Sequence, residues 1–205
     1  MQLMKSMKTI IILTICLLSI STTILSQEAV LKPYGIKSGI IEYTYSGDKT
    51  GTGTLYFDDY GMKSAMYMET ITEGEESKGW VVAFGDDQYM WDPDQPDDGM
   101  KMKNPLLSWI NEASNGDYES FTEEAYKKMG MVKSGKETLL GKECDVIKGD
   151  MGKVLVWKGI MMMMELNMGG YSSGQIATSV RSNVPVDAKY FVIPANITFS
   201  EMPGF

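Results

Sequence analysis

The residue types able to do chemistry in this chain are few. Histidine is absent from its 205 residues, which removes the commonest general acid and base, the Ser/His/Asp and Cys/His nucleophile arrangements and the H-E-x-x-H zinc sites. What remains is a set of carboxylates, 18 methionines and two cysteines. These types carry no catalytic motif at a recognisable spacing, so the sequence predicts a protein that is not an enzyme and requires no cofactor.

The densest group of carboxylates lies in residues 91–99, which read Trp-Asp-Pro-Asp-Gln-Pro-Asp-Asp-Gly. Oxygen ligands at this density could hold Ca²⁺. An EF-hand loop, however, needs glycine at its sixth position. Counted from Asp92, Pro96 takes the fifth position and Gly99 the eighth. The spacing therefore favours a solvated acidic turn, and no metal site is predicted.

The methionines concentrate in residues 161–164, which Leu166 and Met168 follow. Alternate residues of a strand face the same side, so Met162, Met164, Leu166 and Met168 are expected to point inward. Flexible thioethers adapt to irregular apolar partners, which suits a cavity for a hydrophobic ligand.

Two other interpretations of the methionines remain open. They could fill an ordinary core. The pairs Met66-x-Met68, Met100-x-Met102 and Met129-x-Met131 also resemble thioether pairs for Cu(I), although the chain offers no histidine to assist them.

The first 26 residues have the features of a cleaved secretory signal. Lys5 and Lys8 precede an apolar run over residues 9–20, and a Ser/Thr-rich boundary follows. We expect cleavage near Ser26, leaving one domain over residues 27–205. Cys16 lies inside the apolar run after Ile15, which does not match a lipid-attachment site.

The predicted mature chain keeps 17 basic against 27 acidic side chains, so it repels nucleic acid. It also keeps a single cysteine, Cys144, and can form no internal disulfide. No histidine or arginine lies near Cys144 in sequence, so a buried, unreactive side chain is predicted.

Period-2 alternation and turn residues predict the elements that must position these side chains. Ile41, Tyr43 and Tyr45 alternate with polar residues, and similar stretches follow, separated by Gly/Asp turns such as Asp-Asp-Tyr-Gly at 58–61 and Gly-Asp-Asp at 85–87. Two short amphipathic helices are expected in between, one beginning at Asn104 and one ending before Gly130. The prediction is an α+β, mostly-β domain of nine to eleven strands, which begins as an antiparallel meander and ends on a strand with Ile197 and Phe199.

Several short segments resemble the LolA-like group of Gram-negative envelope proteins, which are related to outer-membrane lipoprotein carriers. They are Gly-Thr-Leu-Tyr-Phe-Asp at 53–58, Leu-Leu-Gly-Lys-Glu-Cys-Asp at 139–145, Val-Trp-Lys-Gly-Ile at 156–160, Val-Pro-Val-Asp at 184–187 and Tyr-Phe-Val-Ile-Pro at 190–194. The resemblance implies a curved antiparallel sheet forming an incomplete barrel, short lid helices and an apolar interior that accepts acyl chains. The carrier's early-strand arginine has no counterpart, since the single arginine is Arg181.

The expected function is therefore binding of a lipid, acyl chain or other amphiphile in the periplasm or cell envelope. An envelope protein or the membrane surface is a further expected partner. The alternative is a non-catalytic structural or interaction module with a solid core, since a packed sheet and a lined cavity show the same alternation. The residues expected to line the cavity are Leu55, Phe57, Met66, Met68, Trp80, Val82, Phe84, Leu106, Ile110, Met162, Met164 and Leu166.

Overall fold

The computed structural model describes residues 32–95, 97–104 and 126–201. Within these ranges, twelve strands form one sheet. The strands are β1 Gly39–Gly47, β2 Lys49–Asp58, β3 Lys63–Thr72, β4 Glu75–Phe84, β5 Asp87–Trp91, β6 Asp98–Lys103, β7 Met131–Leu139, β8 Lys142–Gly149, β9 Gly152–Trp157, β10 Ile160–Met168, β11 Tyr171–Ser182 and β12 Thr198–Glu201. The predicted mostly-β class is confirmed, with one strand more than the upper expectation.

The spatial order of the strands is β12-β6-β5-β4-β3-β2-β1-β11-β10-β9-β8-β7. The first six strands form the predicted antiparallel meander, and β1 also pairs with β11. The short β12, which contains Phe199 but not Ile197, pairs with β6 in the parallel sense. The edge strands β12 and β7 are not paired with each other, so the sheet is open and does not close into a barrel.

Turn chemistry fixes the hairpins where the sequence predicted them. Asp58 accepts a hydrogen bond from the Asp59 backbone N–H at 2.8 Å and begins a single 3₁₀ turn. Gly61 leaves this turn at φ +91°, a left-handed conformation that glycine adopts without steric cost. The predicted turn after Phe84 likewise contains a left-handed glycine, Gly85.

The segment before β1 shows how strongly the sheet curves. The Tyr34 N–H donates to the Tyr60 carbonyl in the β2–β3 turn at 2.8 Å, and the Gly35 N–H donates to the Lys158 carbonyl in the β9–β10 turn at 2.9 Å. In a flat sheet these turns would lie four strand spacings apart, about 19 Å. Consecutive residues, whose Cα atoms are about 3.8 Å apart, can bond both turns only if the sheet bends them together.

A cluster of buried side chains fills the concave side between these turns, and we call it the central cluster. Tyr34 packs edge-on against Phe57, with ring centroids 4.9 Å apart, and Phe57 is only 1% exposed. The central cluster consists of Ile36, Ile41, Tyr43, Phe57, Cys144, Val146, Leu155, Ile160, Met162, Met163 and Ala177. It joins residues of β1 and β2 to residues of β8, β9 and β10, and this packing holds the curvature.

The expected alternation of the methionine run is wrong at β10. The register between β9 and β10 shifts between Met161 and Met163, which leaves Met162 as an extra residue in the strand. Such a bulge interrupts the two-residue period. Met162 and Met163 therefore both join the central cluster, whereas Met161 and Met164 pack elsewhere.

Met161 and Met164 pack against a second cluster toward the other edge of the sheet. Its buried members are Met131, Ile147, Val154 and Val156. Tyr126 also packs against it, from helical residues 126–128, which a turn with the left-handed Gly130 follows. This stretch matches the expected end of the second helix. The first predicted helix, with Leu106 and Ile110, lies outside the described residues, as does the predicted signal.

The opposite face of β2 to β5 is covered by the segment that precedes β12. Tyr190 stacks on Tyr56 with ring centroids 3.8 Å apart, and Phe191 packs with Ala65 and Val82. The covering residues are Val186, Tyr190, Phe191 and Ile193. Together with the strand residues that they cover, these side chains form a second apolar layer on the sheet, which strand periodicity did not predict.

Trp80, Val82 and Phe84 belong to this opposite face, which corrects the expectation that they share a face with Leu55 and Met66. Directly opposite residues of paired strands share a face. Val82 pairs with Ala65, whereas Met66 pairs with Val81. The error arose because β4 is apolar on both faces, so its alternation did not identify the concave one.

Candidate ligand-binding site

Strand register aligns five apolar side chains across the concave face of β2 to β6. Each is directly opposite the next in the paired strands, so all five face the same side. They are Leu55, Met66, Val81, Met90 and Met100. We call this set the methionine row.

The methionine row is much less buried than the central cluster that it adjoins. Leu55, Met66, Val81 and Met90 are half-buried, and Met100 is 44% exposed. Met162 and Phe57 in the central cluster are 0% and 1% exposed. The concave face is therefore tightly packed near β1 and β10 and partly accessible along β3 to β6.

The structure brings together only part of the predicted cavity lining. Leu55 and Met66 lie in the methionine row, and Met68 lies one row away, opposite Gly53 and Gly79. Phe57 and Met162 are core residues of the central cluster. Met164 packs against the second cluster, and Leu166 is half-buried on β10 opposite Gly152 and Ser173.

Sequence reasoning missed Val81, Met90 and Met100 as members of this surface. Val81 lies between Trp80 and Val82, the two residues of β4 that the sequence analysis assigned to the cavity lining. Met90 lies between Tyr89 and Trp91, whose rings belong to the opposite face. The methionines of β5 and β6 are visible in the sequence, but only the strand register shows that Met90 and Met100 lie opposite each other.

Next to the apolar surface, the concave face carries a polar row made of Tyr45, Thr70 and Ser77. Tyr45 is opposite Gly51, which is opposite Thr70, and Thr70 is opposite Ser77. Thr70 is 5% exposed, and its hydroxyl lies 3.1 Å from that of Ser77. Burial raises the pKa of Tyr45 to about 12, so its hydroxyl stays protonated at neutral pH.

The side chains of the methionine row and of the central cluster offer little reactivity. Gln88 donates weak hydrogen bonds to the sulfur atoms of Met90 at 3.6 Å and Met102 at 3.8 Å. Cys144 is fully buried, as predicted, and burial raises the pKa of its thiol. A protonated, inaccessible thiol is a poor nucleophile.

A small polar cavity of about 180 Å³ lies at the β5–β6–β12 edge, lined by Asp87, Lys101, Met102, Lys103 and Glu201. Asp87 pairs with Lys103 at 3.0 Å and with Lys101 at 3.3 Å. The hydrogen bonds from Lys103 and Lys101 lower the pKa of the Asp87 carboxyl. With Glu201 the lining holds two acidic and two basic side chains, so the cavity has no strong preference for either sign of charge.

Across residues 32–95, 97–104 and 126–201, no group of three or more Cys, Asp or Glu side chains is arranged to hold a metal ion. In the acidic turn, Asp92 accepts a hydrogen bond from the Asp94 backbone N–H, and Asp94 pairs with Lys78 at 2.9 Å. The same described ranges hold no helix that combines the length and hydropathy needed to span a bilayer.

The fold is shared with a solved structure of unassigned function. An uncharacterised conserved protein from Thermus thermophilus superposes with a TM-score of 0.51 at 7% identity, covering 82% of this chain and 92% of that one. At this identity the likeness concerns the fold alone. No protein-family model matches the chain, and a comparison with curated proteins finds no match. The LolA-like assignment therefore stays a prediction.

Lower-scoring structural similarities involve two further proteins. MucB, in the Pseudomonas aeruginosa MucA/MucB complex, has a TM-score of 0.44 at 11% identity, covering 78% of this chain and 56% of that one. LprF from Mycobacterium bovis has a TM-score of 0.33 at 8% identity, covering 83% of this chain and 94% of that one.

Proposed function

We propose that this protein is a non-catalytic binding protein for an amphiphile, whose acyl chain lies along the methionine row. The observation that carries the proposal is the alignment of five partly accessible apolar side chains on one concave face. Burying such a surface against an acyl chain is favourable by about 25 cal/mol per Å². Unbranched thioethers adapt to a flexible ligand without a fixed shape.

The dimensions of the methionine row support this ligand class. From Leu55 to Met100 the row crosses four strand spacings, about 19 Å. A single leaflet of a bilayer, half of a hydrocarbon core of about 30 Å, is about 15 Å deep. An extended acyl chain therefore matches the length of the row, whereas a compact apolar molecule would leave much of it exposed.

The packed central cluster supports a second candidate, a structural or interaction module of the cell envelope. Phe57, Met162 and Cys144 are at most 1% exposed, so this part of the concave side holds no ligand space. In the second candidate the methionine row contacts a protein surface instead of an acyl chain. The two candidates differ in whether the isolated protein binds an amphiphile.

Displacement of a fluorescent fatty acid from the purified chain tests the proposal. Met90→Gln combined with Met100→Gln keeps the side-chain length but introduces polar amides into the row. We expect the double variant to lose most of the affinity of the wild type, because burying an unpaired amide costs about 1–3 kcal/mol.

The matched control is Met129→Gln combined with Met151→Gln, which changes the same residue type outside the methionine row. This control should bind like the wild type. Equal loss in both double variants would place the ligand elsewhere. No binding by the wild type would favour the interaction module.

The proposed location is the periplasm or another compartment of the cell envelope, after removal of residues 1–26. It rests on the basic start, the apolar run and the Ser/Thr-rich boundary. N-terminal sequencing of the protein from an envelope fraction should find Gln27 first. A chain that retains residue 1 in the inner membrane would contradict this proposal.

A further inference from the structure

Two tyrosines on the concave face of β1 differ in how their hydroxyls are satisfied. The Tyr43 hydroxyl donates to the Met161 carbonyl at 2.9 Å. Tyr45 is 8% exposed, yet its buried hydroxyl has no hydrogen-bond partner among the described residues. A buried polar group without a partner destabilises the folded state, so the conformation of Tyr45 points to a role other than stabilising the fold.

The Tyr45 hydroxyl is directed toward the methionine row. A Cβ at Gly53 would lie 2.7 Å from this oxygen, so the phenol end rests over the bare backbone of Gly53. Gly53 is two residues from Leu55 along β2, about 7 Å. The absence of a side chain at Gly53 allows the hydroxyl to approach the start of the row.

A positive charge lies beside the ring of Tyr45. The Lys49 ammonium lies 5.4 Å from the centroid of the Tyr45 ring. Among the ion pairs of the described residues, none involves Lys49. A protonated phenol and an ammonium group together supply a hydrogen-bond donor and a counter-charge, which suit a carboxylate.

We propose that Tyr45 and Lys49 bind the carboxylate of a long-chain fatty acid whose chain lies along the methionine row. This inference rests on the proposed function and adds the chemical class of the polar end. The Tyr45 hydroxyl donates to a carboxylate oxygen, and Lys49 balances the charge. Thr70 and Ser77 continue the polar surface on the neighbouring strands.

The raised pKa of Tyr45 supports this role. Burial raises it to about 12, so the hydroxyl remains a donor from the pH at which a fatty acid ionises up to about pH 12. A phenolate at this position would repel the ligand.

Affinities for hexadecanoate and for hexadecanol, measured by displacement of an uncharged fluorescent probe, test the proposal. The two ligands share the chain and differ at the polar end. Wild type should bind hexadecanoate about tenfold or more tightly than the alcohol, since a hydrogen bond to a charged group is stronger than one to a neutral group. Tyr45→Phe and Lys49→Gln should each reduce this ratio and leave hexadecanol affinity nearly unchanged.

Thermal unfolding of the unliganded protein distinguishes this role from a structural one. If Tyr45 served only to stabilise the fold, Tyr45→Phe would lower the melting temperature. Tyr45→Phe removes an unsatisfied hydroxyl, so the melting temperature should stay the same or rise. Tyr43→Phe, the matched control, removes a satisfied hydrogen bond and should lower the melting temperature while keeping the ligand ratio.

The possible results distinguish a failure of the carboxylate anchor from a failure of the proposed function. If wild type binds both ligands equally and Tyr45→Phe changes nothing, the carboxylate anchor is wrong while the acyl-chain site stands. If wild type binds neither ligand, the proposed function fails and the anchor fails with it. A melting temperature lowered by Tyr45→Phe as much as by Tyr43→Phe would also overturn the anchor.

Discussion

The central cluster and the methionine row occupy the same concave face but differ in what covers them. The central cluster lies where the sheet bends over itself, so residues of β2 and β9 meet, and Tyr34 and Ile36 close one end. The methionine row lies on β2 to β6, where the described residues leave its side chains partly exposed. Curvature thus converts one half of an apolar face into a core and leaves the other half partly exposed.

The same residue type has different roles in the two halves. Met162 is fully buried in the central cluster, whereas Met90 and Met100 lie on an accessible surface. The large number of methionines therefore does not reflect a single role. Substitutions in the central cluster and in the methionine row, made separately, test this difference.

The largest effect is expected for Phe57→Ala. Phe57 is 1% exposed, packs against Tyr34 and belongs to the central cluster. Truncation of a buried aromatic ring costs about 3–5 kcal/mol. Urea unfolding should measure this loss. A loss below about 1 kcal/mol would indicate that the central cluster is loosely packed and that the contrast with the methionine row is false.

A direct comparison comes from Met162→Ala and Met90→Ala. The first should lower the free energy of unfolding by about 2–5 kcal/mol, as in other buried cores. The second should cost less than about 1.5 kcal/mol, because a half-exposed side chain buries less apolar surface. Urea unfolding of both variants measures the difference, and equal losses would show that the methionine row is core as well.

A smaller effect is expected at the charged edge of β5 and β6. Hydrogen bonds from Lys103 and Lys101 hold the pKa of the Asp87 carboxyl below 3.8, the ordinary value for aspartate. Its stabilising contribution is therefore present above that value and is lost as pH falls through the lower folded pKa. Asp87→Asn should lower the melting temperature by about 1–2 °C at neutral pH, because surface ion pairs are weak.

The Asp87→Asn difference should disappear in strong acid, where the wild-type carboxyl is protonated too. A difference that persists below about pH 2 would assign the effect to packing and not to charge.

The smallest effect, close to zero, is expected for Ca²⁺ at the acidic turn between β5 and β6. Asp94 already pairs with Lys78, and the Asp94 side chain is exposed. Millimolar Ca²⁺ should leave the melting temperature unchanged. Specific binding would add about 2.7 kcal/mol of stability at a hundred times the dissociation constant. A large rise abolished by Asp94→Asn would contradict the prediction of a solvated turn.

The sequence predicted those features that depend on neighbouring residues. The meander over β1 to β4 followed from period-2 alternation, and the turn at Asp58 and Gly61 followed from the preferences of aspartate and glycine. The buried state of Cys144 was also predicted, because no histidine or arginine lies near it in sequence. Such features are local, so a single chain segment contains the information that specifies them.

The missed features depend on residues far apart in sequence. The bulge at Met162 is defined only by its pairing with β9, and it reverses the expected faces of the residues that follow. The concave position of Val81 depends on its register with Met66. The segment containing Tyr190 and Phe191 covers Val82 from more than one hundred positions away, and no alternation within β4 could reveal that cover.

The pairing of β1 with β11 constrains the order in which the protein can fold. Residues 39–47 find their second partner in residues 173–182, after most of the chain has been made. Until then, β2 covers one edge of β1 and the other edge presents free backbone donors and acceptors, a template for pairing with other chains. Contacts of such long sequence separation form slowly. The early meander therefore has to remain protected from association until β11 reaches it.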